Sequence, residues 1–241
     1  MIIHQFETVS ALNENLAAFI VHLANKAIHE NGRFNFVLTG GSSPKELYHL
    51  ISTSYKEKVD WNKVFFFFGD ERYVAANHPD YNGLMARNYL FDRLQVNPSQ
   101  VFYIDTTLAP EVAARDYETR LNAHFSHQPI QFDFVLLGMG DDAHTASIFP
   151  HTELVNTQEA TVAAVWIEKL NSYRISLTAP LINKAKNVAF ITFGANKATA
   201  VRQIIGNTEK NTDQYPAQLI HPESGQLDWF IDDLAAGSLT L

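Results

Sequence analysis

Asp142 and His144 stand two residues apart in Gly138-Met139-Gly140-Asp141-Asp142-Ala143-His144-Thr145-Ala146-Ser147. An imidazole changes charge near neutral pH, so it can take a proton from water, and a neighbouring carboxylate can fix its orientation. Asp142 reads either as that neighbour or as a helix cap. A second group, Gly69-Asp70-Glu71-Arg72-Tyr73, sets three charged residues directly after the apolar run VFFFF. The planar fork of Arg72 suits phosphate or carboxylate oxygens, and Asp70 would orient that fork or hold a sugar hydroxyl. The plainer reading is a solvated loop or a structural ion pair. A third, Thr39-Gly40-Gly41-Ser42-Ser43-Pro44-Lys45-Glu46, combines glycines that let a ligand approach the backbone with a helix-start pattern. Ser43 reads as N-cap, Pro44 as the first helical residue and Glu46 as the far half of a capping box. Such a loop at a helix N-terminus offers N–H groups to an anion, although an ordinary strand–turn–helix joint looks the same. Arg174, ahead of ISLT, and Lys197, in FGANKA, are surface charges or rim cations for a phosphorylated ligand.

Other chemistries are poorly served. The chain has no cysteine, which removes disulfides, thiolate metal sites and cysteine nucleophiles. Its ten histidines are scattered, with no HExxH, so no metal site is expected. There is no Walker A loop and no GxGxxG pattern. Ser147 lies near His144 but in no GxSxG elbow, which argues against a serine triad. A net charge of −8 without a basic patch argues against nucleic acid as a partner. The first residues lack the basic and apolar halves of a signal peptide, and no apolar run reaches a membrane span. A soluble, cytoplasmic protein is expected, with no membrane partner.

These residues need a frame to bring them together. The chain has 241 residues, 46% hydrophobic and 18% charged, enough for the core of one domain over 1–241. Phe34–Leu38, Val64–Phe68, Phe132–Leu137 and Val188–Phe193 are nearly continuous apolar runs, as expected of strands covered on both faces. Val162–Ile167 and Ile175–Leu177 are weaker and read as edge strands. Helical spacing appears over Leu12–Ile28, from Leu47 to Ile51, and over Leu84–Leu94, Val112–Phe125 and Ala195–Ile205. The alternation predicts an α/β fold, a mainly parallel, doubly wound, Rossmann-like sheet with helices on both faces. In such sheets ligands sit at the carboxyl ends of strands, which is where the three polar groups fall.

TGGSSPKELYHLI, FFFGDERYV, FDFVLLGMGDDAHTASIFP, RISLTAPLINKAKNVAFITFGANKA and PAQLIHPESGQLDWFID occur in this order over nearly the whole chain. Together they resemble the lactonase branch of the glucosamine-6-phosphate isomerase/6-phosphogluconolactonase family. The resemblance implies hydrolysis of 6-phosphogluconolactone, a small phosphorylated sugar lactone, in the pentose phosphate pathway, without metal or organic cofactor. It assigns the loop Gly40, Gly41, Ser42, Ser43 and Pro44 to sugar-phosphate contact, Asp70, Glu71 and Arg72 to the Asp-Glu-Arg motif, and His144 to the base. Arg174 and Lys197 match cations that face the substrate's acidic groups. The deaminase branch has a glutamate where this chain has Phe149, and a tyrosine where it has Arg72. A sensor that binds sugar phosphate without catalysis is the other alternative, although no segment is spare for a DNA reader. Departures from the family pattern are Ala143 for glycine, Ser43 for threonine, His151 for glycine and Tyr81 for serine. A monomer and a homodimer are equally compatible with the sequence.

Overall fold

The apolar runs become the middle of a parallel sheet in the computed structural model, which describes residues 1–207, 209–237 and 239. The strands, in chain order, are β1 (Ile2–Phe6), β2 (Phe34–Leu38), β3 (Val64–Phe68), β4 (Asp70–Arg72), β5 (Phe134–Gly138), β6 (Val162–Ile167), β7 (Ser172–Leu177), β8 (Asn187–Thr192) and β9 (Gln226–Asp232). Six of them pair in the order β1-β9-β8-β5-β2-β3, each neighbour parallel to the next. All five residues of β2 are buried, as a sheet covered on both faces requires. The polar Asn35 is tolerated there because Asp133 accepts from its backbone N–H at 2.8 Å and its side-chain amide at 2.9 Å. The α-helices are α1 (Val9–Asn31), α2 (Lys45–Ser54), α3 (Asn82–Ala86), α4 (Asp92–Leu94), α5 (Pro110–His124), α6 (Ala179–Ile182), α7 (Ala198–Ile205) and α8 (Asp233–Ala236). α1 packs on β1, β2 and β9, and α5 on β6 and β7. Among the described residues, no helix is long and apolar enough to cross a membrane.

Several local expectations change. Asp70–Arg72 is not a loop: it is β4, paired antiparallel with β7 in a separate sheet of order β4-β7-β6. β7 is therefore the central strand, and of the two strands expected at an edge β6 is one. The hinge between the sheets is Gly69, whose N–H donates to Leu38 O at 3.0 Å while its carbonyl accepts from Leu177 N at 2.8 Å. Ser43 closes no capping box: α2 begins at Lys45 after Pro44, with no side-chain cap, and Lys45 N donates to Ser42 O at 3.3 Å. The span 84–94 is interrupted by a π-helical turn at Arg87–Phe91. β1 and β9 were not foreseen.

The sheet order creates the crevice. From β2 the chain moves to β3 on one side, and from β5 to β8 on the other, so the connections part between β2 and β5. Thr39, just past β2, bridges this seam by accepting from Gly138 N at 3.1 Å through Oγ1. The phenol of fully buried Tyr48 both accepts from Thr39 N, at 3.0 Å, and donates to Thr39 O, at 2.8 Å. Tyr117 does the same for Phe68 at the end of β3. Tyr48→Phe strands a buried donor and acceptor at the root of the Gly40–Gly41 loop and should cost about 1–3 kcal/mol. A thermal melt should show Tm lowered by several degrees; an unchanged Tm contradicts this role for Tyr48.

Candidate functional site

Gly40, Gly41, Ser42, Ser43, Asp70, Arg72, His144, Arg174 and Lys197 all line one cavity of about 340 Å³ at the carboxyl ends of the central strands. Larger cavities on the chain are lined by fewer lysine and arginine side chains. Asp142 lies behind the cavity wall and contacts His144. Its Oδ1 accepts from His144 N at 3.2 Å and lies 2.5 Å from His144 Nδ1. No helix follows it, so the helix-cap reading falls. Burial opposes its charge, but the hydrogen bond and charge of His144, and then Lys169, hold the Asp142 carboxyl well below the usual carboxylate range. Among the described residues, His144 Nε2 has no hydrogen-bond partner. The imidazole stacks on Phe149, centroids 3.9 Å apart and planes 18° from parallel.

The histidine loop is tightly wound. Gly140 N donates to His144 O at 2.8 Å, and Ala143 N to Gly140 O at 3.2 Å. A Cβ on residue 140 would stand 2.1 Å from His144 Nδ1 and 2.5 Å from Asp142 Oδ1, so only glycine lets the dyad lie against this turn. Ala143 has φ +62°, the left-handed region, and His151 has φ +60°, at the two positions where glycine was expected from the resemblance. Ala146 adds φ +47°. Each left-handed non-glycine residue costs roughly 1 kcal/mol. Neighbouring segments hold the loop in place: Ala217 N donates to Ala143 O at 3.0 Å, and His151 N to Asp213 O at 3.2 Å.

The cationic half of the cavity rests on the small sheet. Arg72 and Arg174 are register partners on β4 and β7. Burial first, and then the neighbouring Arg72, draw the Arg174 guanidinium below its ordinary value, against the pull of Asp70, Glu71 and Asp80. Two adjacent guanidinium groups facing one cavity favour a multiply charged anion between them. Arg72 is steadied by donating to Asp80 O at 2.9 Å, not by Asp70. Asp70 is buried and accepts from Ser147 Oγ at 2.7 Å, so the Ser147 hydroxyl is paired with this carboxylate and not with His144. Glu71 faces inward and accepts from Arg72 N, Asn82 N and Gly83 N at 2.8, 2.7 and 3.0 Å. Burial pushes its carboxyl up to about 8, while those N–H groups pull it down. Asn82 supports the glycine loop directly: a Cβ on Gly40 would meet its Oδ1 at 1.9 Å.

Lys169, on the turn between β6 and β7, also lines the cavity and pairs with Asp142 Oδ2. Sequence reading missed it, because EKLNSY has the composition of a surface turn and carries no motif. Among the described residues, no group of three His, Asp or Glu side chains gathers as a metal site.

A family model described as glucosamine-6-phosphate isomerases/6-phosphogluconolactonase matches residues 7–229. The chain is 41% identical over 220 residues to a 6-phosphogluconolactonase from a Nostoc species, covering 89% of this chain and 88% of that one. It is 38% identical over 219 residues to a 6-phosphogluconolactonase from a Synechocystis species, with the same coverage. Among solved structures, a 6-phosphogluconolactonase from Thermotoga maritima aligns with a TM-score of 0.83 at 28% identity, over 96% of this chain and 99% of that one. Sequence match, sheet architecture and motif order agree along almost the whole length: this chain belongs to the glucosamine-6-phosphate isomerase/6-phosphogluconolactonase family.

Proposed function

We propose that the chain is a 6-phosphogluconolactonase in which His144 is the general base. The observation that carries this reading is His144, backed by Asp142, in the same 340 Å³ cavity as Arg72, Arg174 and Lys197. The relatives' names supply the substrate, 6-phosphogluconolactone. Its phosphate sits among Arg72, Arg174 and Lys197 and the Ser42–Ser43 hydroxyls, which brings the lactone carbonyl toward His144. Asp142 holds Nδ1, so Nε2 takes a proton from water as the water oxygen bonds to C1. The oxyanion that forms needs donors already in place. Gly140 N is spent on His144 O and is not free for that role. The tetrahedral intermediate collapses, the bond from C1 to the ring oxygen breaks, and the imidazolium returns its proton to that oxygen. The products are the open-chain hydroxyl and a carboxylic acid, which ionises and releases a proton.

Phe149 separates this reading from the deaminase alternative. That chemistry needs a proton-transferring carboxylate where this chain stacks an aromatic ring on the imidazole. Against the sensor alternative stands the intact dyad: Ala143 takes the left-handed conformation and His144 still meets Asp142. We also take residues 1–241 to act as one domain.

The test is acid release from freshly made 6-phosphogluconolactone, read above the uncatalysed rate, with glucosamine-6-phosphate as the parallel substrate. Wild type should release acid from the lactone only, and His144→Ala should lower kcat by about 10²–10⁴-fold. Full activity in His144→Ala removes the histidine from the mechanism, and turnover of glucosamine-6-phosphate favours the deaminase. Gly140→Ala pushes the dyad out of place and should lower kcat by about 10²-fold with binding retained. Undiminished kcat there contradicts the geometric argument. Arg174→Met should instead raise KM, with a smaller change in kcat, in initial-rate measurements. A kcat loss at unchanged KM would place Arg174 at the reacting carbon.

A further inference from the structure

Asp142 has two oxygens, and each has its own cationic or proton-bearing partner. Oδ1 takes His144 N and Nδ1, and Oδ2 takes the ammonium of Lys169. The same ammonium stands 4.7 Å from the centroid of the Phe149 ring, and that ring stacks on His144. Lys169 therefore touches both groups that fix the imidazole, from a turn 27 residues away. Its side chain is about half exposed, so it acts as a cover over the dyad, not as part of the core.

We propose that Lys169 is a positioning residue: it clamps the outer oxygen of Asp142 and caps Phe149, so that the carboxylate can present only Oδ1 to His144. The proposal rests on His144 being the base. Two consequences follow from the charges. With the ammonium in place, the Asp142 carboxylate is partly neutralised and attracts a proton to the imidazole less strongly. Without it, Asp142 Oδ2 is free to rotate and the imidazole holds its proton to higher pH. The other charges around the dyad lie farther round the cavity. Arg72, Arg174 and Lys197 line its phosphate side, Asp70 is bound to Ser147, and His151, Glu153 and Glu168 line the adjoining cavity that Asp142 and Lys169 also border. Only Lys169 among them contacts Asp142.

The experiment is the pH profile of kcat/KM for Lys169→Met, Lys169→Arg and wild type, each first checked for an unchanged circular dichroism spectrum. The imidazole of His144 is titrated in parallel by NMR without substrate, its resonance assigned by its loss in His144→Ala. Lys169→Met should lose kcat, with a deficit about three- to tenfold larger at pH 6 than at pH 7.5, and KM close to wild type. Its imidazole should titrate at higher pH than in wild type, and Lys169→Arg should restore both. A raised KM with the acid limb in place would overturn the proposal and make Lys169 a substrate grip. An unmoved imidazole titration would overturn it as well. The NMR titration reads the coupling even if His144→Ala proves active, so failure of the base and failure of the clamp are distinguishable.

Discussion

The parting of the connections between β2 and β5 is the constraint on which the rest depends. Two fully buried parallel strands lie side by side, and the chain leaves their ends in opposite directions, so no crossover covers the seam. The two loops that follow must cross it with their own backbone. Thr39 Oγ1 ties one to the other at Gly138, and Tyr48 fixes Thr39 from below. Glycine at 40 and at 140 then lets Asn82 and His144 approach where any Cβ would collide. A polar site results on an apolar sheet, with its walls set by main-chain bonds. Such walls move little when a ligand enters, which suits a reaction that depends on alignment.

The second constraint is the turn at Gly69, which takes the chain out of the large sheet and into the small one. Through it, β4 brings Arg72 beside Arg174 on β7. Like charges on neighbouring strands destabilise each other unless something answers them. Buried Asp70, which accepts from Ser147, answers in part. The remainder is field directed into the cavity, and it outweighs, locally, the net charge of −8 on the chain. In the proposed reading the phosphate completes that balance and thereby places the lactone carbonyl at the other wall.

What the sequence made legible follows from how local each signal is. Phe34–Leu38 and Val64–Phe68 are covered on both faces, so their nearly continuous apolarity, broken only by Asn35, identified them to the residue. β1 escaped because IIHQF is an edge strand with exposed positions, and β9 because QLDWFID carries two aspartates in a buried strand. Those aspartates are satisfied from afar: Asp228 lies 2.7 Å from His4 Nε2, and Asp232 accepts from Gly194 N at 2.9 Å. The capping box at Ser43 was misread because the glycine loop continues in turns through Pro44. Ala143 was legible as a departure from glycine, and its φ of +62° gives the physical reason. Lys169 was not legible at all, since its meaning comes from Asp142 across the fold.

Strain and function meet in the histidine loop. Ala143, Ala146 and His151 all hold left-handed backbone, and the segment around Asp213 and Ala217 braces Ala143 and His151. A bracing of this kind fixes an imidazole more firmly than a relaxed turn would. The most direct measurement of the whole account is a crystal structure with 6-phosphogluconate bound. The account predicts the phosphate between Arg72 and Arg174, and the product carboxylate within hydrogen-bond reach, about 2.6–3.2 Å, of His144 Nε2. A product bound the other way round, phosphate at His144 and carboxylate at the arginines, would contradict it.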